Sequence, residues 1–86
     1  MVNGVDALVF KRYAIQILRL IGEKPKRFSE LRKEIRNKRT LSSRISELLE
    51  FGLVEIIPVR VGQKYANYYK LTTKGKEIIK LLKRIT

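Results

Sequence analysis

Two short helical patterns joined by a polar segment constrain the fold of this 86-residue chain more than any other feature. In the first, Phe28, Leu31 and Ile35 recur at i, i+3 and i+7, the spacing of one helix face, and Ser29 is the predicted N-cap. Residues 37–39, Asn-Lys-Arg, are too polar and too few to form an element of their own, so they are predicted to be a tight basic turn.

The second helical pattern begins directly after this turn. Thr40 is its predicted N-cap, and Gly52 stands where a C-terminal glycine commonly ends a helix. The apolar residues between them form one stripe: Leu41, Ile45, Leu48 and Leu49. A helix, a short turn and a second helix with small polar residues on its outer side predict a helix-turn-helix.

The residues before this motif predict one more amphipathic helix. Asp6 is a candidate N-cap for a helix that runs to about Ile21, and Gly22 is predicted to end it. Pro25 prevents the helix from restarting, and residues 26–28 are short enough to form a small strand.

The residues after the motif predict a β-hairpin and a last helix. β-branched residues over 53–59 favour a strand, 60–67 reads as the hairpin loop, and 68–72 as the returning strand. Thr72 or Thr73 is the predicted N-cap of the last helix, whose first turn should be loose because it contains Gly75. Its apolar residues are Ile78, Ile79, Leu81, Leu82 and Ile85.

The predicted fold is therefore mainly α with a small β-hairpin (α+β). It is a winged helix-turn-helix with an additional C-terminal helix, in a single domain over residues 1–86.

The charge of the chain indicates a polyanionic partner. Twenty basic residues against eight acidic ones give a net charge of +12. Nine basic and two acidic residues fall between positions 24 and 44, so the excess is concentrated on the predicted helix-turn-helix. Neither cysteine nor histidine is present, which predicts no disulfide, no metal site, no cofactor and no catalytic residue.

The sequence contains no apolar run of about 18 residues and no charged-then-apolar start, so a cytoplasmic protein without membrane association is expected. Its many Ile, Lys and Arg residues and its lack of cysteine favour an archaeal or thermophilic source.

Double-stranded DNA is the polyanion that best fits a helix-turn-helix. The recognition helix, about 41–51, should bury its apolar stripe and present its other side to the major groove. The predicted base contacts are Ser42, Ser43, Arg44 and Ser46, with Glu47 accepting from cytosine N4. The predicted backbone contacts are Lys26, Arg27, Lys38, Arg39 and Thr40, together with Arg60, Gln63 and Lys64 on a wing of about 59–67 that reaches backbone or minor groove.

Three segments resemble the small winged-helix transcription regulators of bacteria and archaea, the HxlR-like and the MarR- or PadR-like families. They are IQILRLIGEKPKRFSEL (15–31), LSSRISELLEFGLVE (41–55) and YYKLTTKGKEI (68–78), the last with a Y-x-L-T-x-x-G pattern. The resemblance implies a homodimer formed by terminal helices 5–22 and 73–86; the alternative is that the last helix packs against the first within one chain. The chain lacks the cysteine and tryptophan usual near the start of HxlR-like proteins, so the resemblance implies no redox or metal input.

Other functions remain open at this stage. A sequence-tolerant architectural protein would use the same charge, and serine side chains discriminate bases weakly. A winged-helix module could instead bind RNA or an acidic protein with its basic side. The basic amphipathic end KGKEIIKLLKRIT could bind a lipid surface, although a folded partner suits it better. With no histidine, no cysteine and no paired carboxylates, the sequence does not favour an enzyme.

Overall fold

A computed structural model describes residues 8–9 and 11–85 of the chain. These residues form four helices and one antiparallel hairpin, and Leu8 and Val9 are also helical. In chain order the elements are α1 (Ala14–Glu23), α2 (Phe28–Glu34), α3 (Lys38–Glu50), β1 (Val54–Val61), β2 (Lys64–Leu71) and α4 (Thr73–Ile85). The predicted fold class, a winged helix-turn-helix with a C-terminal helix, is confirmed.

The core lies where the apolar sides of the helices meet the base of the hairpin. Leu31 and Ile35 from the first helical pattern are buried, as are three of the four stripe residues of α3. Phe28 and Leu49 are half-buried and pack against this core. The buried apolar residues are Leu8, Ala14, Ile17, Leu18, Ile21, Leu31, Ile35, Leu41, Ile45, Leu48, Leu53, Val54, Leu71 and Ile79.

The prediction of one continuous helix from Asp6 to Ile21 was wrong. A turn occupies residues 11–13, and α1 begins only at Ala14. Tyr13 has φ 67°, a left-handed conformation that interrupts a right-handed helix. The bend lets Leu8, which is 1% exposed, join the core. Asp6, the predicted cap, lies outside the described residues.

The other end of this helix also differs from the prediction. Gly22 does not end α1, which continues to Glu23. The strand predicted over 26–28 is reduced to a single bridge, in which Lys26 and Tyr69 exchange two backbone N–H···O hydrogen bonds of 3.0 and 2.7 Å.

Both predicted N-caps of the helix-turn-helix were wrong by a few residues. The N-cap of α2 is Arg27, not Ser29, and the Arg27 N–H donates to the Glu30 carboxylate at 3.0 Å. The N-cap of α3 is Asn37, whose side-chain oxygen accepts from the Thr40 N–H at 3.0 Å. Lys38 and Arg39, predicted to be in the turn, therefore lie in the first turn of α3, and the connection is residues 35–37.

The wing is longer and its loop shorter than the sequence indicated. β1 and β2 pair from Val54 opposite Leu71 to Val61 opposite Lys64, and only residues 62–63 form the turn. The predicted loop over 60–67 is therefore mostly strand. Gly62 has φ 64°, the conformation that a two-residue hairpin turn requires, so the strands can continue to the tip.

The first turn of α4 is tightly packed, so the prediction of a loose turn at Gly75 was wrong. Thr72 caps the helix by accepting from the Gly75 N–H at 3.1 Å, and its hydroxyl donates to the Gly52 carbonyl. Lys74 Nζ donates to the Phe51 carbonyl at 3.0 Å. A Cβ on Gly75 would lie 2.1 Å from the Leu53 carbonyl oxygen, so only glycine fits this approach.

Candidate nucleic-acid interface

Helix α3 has one buried side and one open side. Leu41 and Leu48 are 0% exposed and Ile45 is 3% exposed, which fixes the rotation of the helix about its axis. Ser42, Ser43 and Ser46 consequently face outward and are exposed. The helix ends before Gly52, whose φ of 75° is the left-handed conformation of a C-terminal glycine. The predicted recognition helix thus presents small polar side chains.

Cations frame the N-terminal end of this open side. Lys38 and Arg39 are exposed in the first turn of α3, and Thr40 is half-buried beside them. Helix N-termini carry unpaired N–H groups and a partial positive charge, so these residues add to a local field that attracts phosphate.

Two other predicted backbone contacts lie just before α2 and contact the protein itself. Lys26 Nζ lies 3.9 Å from a Glu23 carboxylate oxygen, and the Lys26 side chain is 15% exposed. The Arg27 guanidinium lies over the ring of Tyr68 on β2, 5.7 Å from its centroid. Together with the Lys26–Tyr69 bridge, these contacts join the start of α2 to the wing.

The wing carries three further predicted contacts near its tip. Arg60, Gln63 and Lys64 are all exposed. Arg60 Nε donates to the Gly62 carbonyl at 3.1 Å, which holds that side chain along the turn. Arg60 and Lys64 lie near the tip of the hairpin within its paired strands, so the wing presents both cations close to its turn.

Two predicted base contacts on α3 are paired with each other. The Glu47 carboxylate accepts from Arg44 Nη1 through one oxygen and from Lys11 Nζ through the other. The Arg44 side chain is 17% exposed. Its Nε is enclosed and has no hydrogen-bond acceptor among the described residues. The structure therefore brings Arg44 and Glu47 together and adds a third residue to them.

Lys11 is the residue of this surface that sequence reasoning missed. A shallow hollow, widely open to solvent, is lined by Lys11, Ser42, Ser43, Arg44, Ser46 and Glu47. Lys11 lies 36 positions before Glu47, outside the helix-turn-helix pattern. In a continuous first helix it would be one of three solvated basic residues, with Arg12 and Arg19, and nothing in the local sequence signals the turn that places it here.

The Arg27 N–H donates to the Glu30 carboxylate and holds the pKa of that carboxyl below its ordinary value; desolvation opposes this shift, and the nearby Lys26, Lys24 and Lys33 add to it. Among the residues that the structure describes, no three acidic, cysteine or histidine side chains are grouped to hold a metal ion. Within the same residues, no helix has the length and apolar character to cross a membrane.

The fold and this surface place the protein among the winged helix-turn-helix proteins. The second helix of its motif has an open polar side. The chain belongs to the HxlR-like helix-turn-helix family, which matches residues 8–86. Members of this family are DNA-binding transcriptional regulators, a class without enzymes. No curated protein sequence matches the chain at a significant level.

Solved structures share the fold. The reduced form of the transcriptional regulator YodB from Bacillus subtilis is 24% identical, with a TM-score of 0.82 over 99% of this chain and 88% of that one. PA1607, described as a candidate transcription factor, is 27% identical, with a TM-score of 0.76 over 93% of this chain and 58% of that one. An ArsR-like transcriptional regulator from Rhodococcus sp. RHA1 is 23% identical, with a TM-score of 0.65 over 94% and 74% of the two chains.

Proposed function

We propose that the protein regulates transcription by placing α3 in the major groove of double-stranded DNA. In this arrangement the wing lies on the flanking backbone or in the minor groove. One observation carries the proposal: the exposed serines of α3 are framed by exposed cations while the apolar side of the same helix is fixed in the core. A net charge of +12 favours such binding, because neutralising phosphates releases condensed counterions.

The residues on this surface would make two kinds of contact, one to base edges and one to phosphates. Ser42, Ser43 and Ser46 would face base edges, since they stand on the open side of α3, and the largely enclosed Arg44 would reach a base edge from the flank of the helix. The exposed cations at the helix start and the wing tip would hold phosphates and fix the register of the protein on the duplex. Because the proposed partner is chromosomal DNA, the protein would act in the cytoplasm.

In this proposal the protein acts as a homodimer, which forms through its terminal helices. Leu81 on α4 is 53% exposed, and Ile78 on the same helix is half-buried, so apolar surface remains outside the core. A second copy would cover this surface and space two recognition helices about 34–36 Å apart. Sedimentation should then detect a dimer that Leu81→Lys dissociates. A monomer at all concentrations, or a dimer unaffected by Leu81→Lys, contradicts this assignment.

Competition binding against random duplex tests the DNA-binding proposal. Fragments selected from the source genome should outcompete random duplex by about 10³-fold or more. Arg39→Ala and Lys64→Ala should weaken all duplexes alike, whereas Arg44→Ala should weaken the preferred site more. Weak binding to every duplex at low salt would exclude this function and favour a protein- or RNA-binding module.

A second candidate is a sequence-tolerant architectural protein. It is favoured by the chemistry of the open side of α3, where three exposed hydroxyls offer little direct discrimination between bases. Such a protein would bind every duplex equally, with a steep dependence on salt, in the same competition experiment.

A further inference from the structure

The Glu47 carboxylate stands on the open side of α3, but two cations of the same chain already occupy it. One oxygen accepts from Arg44, three positions earlier on the same helix, and the other accepts from Lys11 in the turn before α1. A contact from Glu47 to cytosine N4 would compete with both ion pairs. The position of Glu47 on this surface is better explained by the two cations with which its carboxylate pairs.

Lys11 retains the capacity to bind another anion. An ammonium group has three N–H donors, and the ion pair with Glu47 engages one of them. The Lys11 side chain is 48% exposed and forms part of the wall of the hollow that the α3 serines also line. The two cations and one carboxylate leave this cluster with a net positive charge, so it favours a phosphate group.

Glu47 also fixes where these cations stand before any DNA binds. A lysine side chain loses rotamer entropy when it is held in one geometry. An ion pair within the free protein has already restricted that freedom, so less is lost on binding. Through the same carboxylate, the segment around Lys11 is tied to α3.

We propose that Lys11 is a DNA-binding residue that contacts a backbone phosphate beside α3, and that Glu47 is a positioning residue that fixes Lys11 and Arg44 against the serines. This inference rests on the proposed function, because it assigns further contacts within the same interface. It makes the turn before α1 part of the DNA-binding surface, in addition to the helix-turn-helix and the wing.

The salt dependence of binding to a random duplex tests the role of Lys11. Lys11→Gln should lower the slope of log affinity against log salt by about 0.9, the value for one lost phosphate contact. Lys11→Arg should keep the slope, since a guanidinium retains the charge and can still pair with Glu47. Lys70→Gln removes an exposed lysine of β2, opposite Glu55, away from the wing tip and outside α4, and serves as the control, with no expected change. An unchanged slope in Lys11→Gln, or an equal drop in Lys70→Gln, overturns the assignment.

A comparison of two carboxylates on α3 tests the positioning role of Glu47. Glu50→Gln makes the same charge change at an exposed residue that has no ion pair among the described residues. If Glu47 acts through the cations, Glu47→Gln should bind the preferred duplex more weakly than Glu50→Gln does. This difference should shrink by about twofold or more in a Lys11→Gln background, because coupled residues are non-additive. Additive effects, or equal effects of the two glutamine variants, overturn the positioning role.

These experiments separate the inference from the function on which it rests. Circular dichroism and thermal melting establish that each variant is folded before binding is measured. If the wild-type protein prefers one duplex and Lys11→Gln keeps the full salt slope, the inference fails and the proposed function stands. If the wild-type protein binds no duplex, both fail.

Discussion

Helices α3 and α4 have the same length, 13 residues each, and both are amphipathic, but they differ in how much of their apolar surface the chain itself covers. Three apolar residues of α3 are at most 3% exposed, and its open side is polar and cationic. Among the apolar side chains of α4 whose burial the structure describes, residues 78–82, only Ile79 is buried, whereas Leu81 is 53% exposed. The open side of α3 therefore suits a polyanion, and that of α4 suits another protein surface.

The difference follows from what each helix packs against. Helix α3 lies against α1, α2 and β1, which enclose its apolar side. Helix α4 lies against α1 and β2. Its Ile78 and Leu82 are only partly buried against the core and Leu81 is exposed, so amphipathic character alone does not decide whether an apolar side is covered.

The largest expected effect comes from truncating one leucine on each helix. Leu48→Ala should lower the free energy of unfolding by about 2–5 kcal/mol, because it leaves a cavity in the core under α3. Leu81→Ala should change it by less than about 0.5 kcal/mol at concentrations where the protein is monomeric. Denaturant titration measures both values. Equal losses would mean that α4 is as enclosed as α3, which would break the comparison.

An intermediate effect is expected at the fixed end of α4. Gly75→Ala should destabilise the protein by about 1–3 kcal/mol, since the new Cβ would overlap the Leu53 carbonyl oxygen. This expected loss of stability is opposite to the effect of helix propensity, which favours alanine over glycine by about 1 kcal/mol.

Gly22→Ala is the matched control in α1 for this variant. There a Cβ meets the nearest atom, Leu71 Cδ1, at 3.4 Å, an ordinary contact. The free energy of unfolding, measured by heat or denaturant, should stay the same or rise by up to about 1 kcal/mol. A stabilising Gly75→Ala would show that the first turn of α4 can move away from the end of α3.

The smallest effect concerns where α3 begins. Asn37→Ala should cost about 1 kcal/mol of stability, because it removes the acceptor of the Thr40 N–H. Thr40→Ala should cost less than about 0.5 kcal/mol, since Thr40 lies inside the first turn and its side chain caps nothing. The reverse order in unfolding experiments would restore Thr40 as the N-cap and shorten the open side of α3.

Much of the fold could be predicted because its signals are local. The stripe that buries Leu41, Ile45 and Leu48 follows from helical periodicity, and Gly52 ends the helix through its own backbone freedom. The caps were misplaced because several polar residues near each helix start can cap it, and the sequence does not say which one does. Asn37 was assigned to the turn, although its side chain suits a cap as well as that of Thr40.

Features that depend on distant contacts could not be predicted. The helix pattern of the first 21 residues continues through Tyr13, so the left-handed turn there has no local signal. The sequence predicts a loose helix turn at Gly75, because Leu53, whose carbonyl oxygen lies against this glycine in the fold, is far away in the chain.

The sequence by itself determined which side of α3 is apolar and which side carries serines, because both follow from a repeat of 3.6 residues along one segment. Only the tertiary structure decided which cations the Glu47 carboxylate pairs with. That carboxylate is engaged by Lys11, 36 positions away, and a contact over that separation depends on how the helices pack.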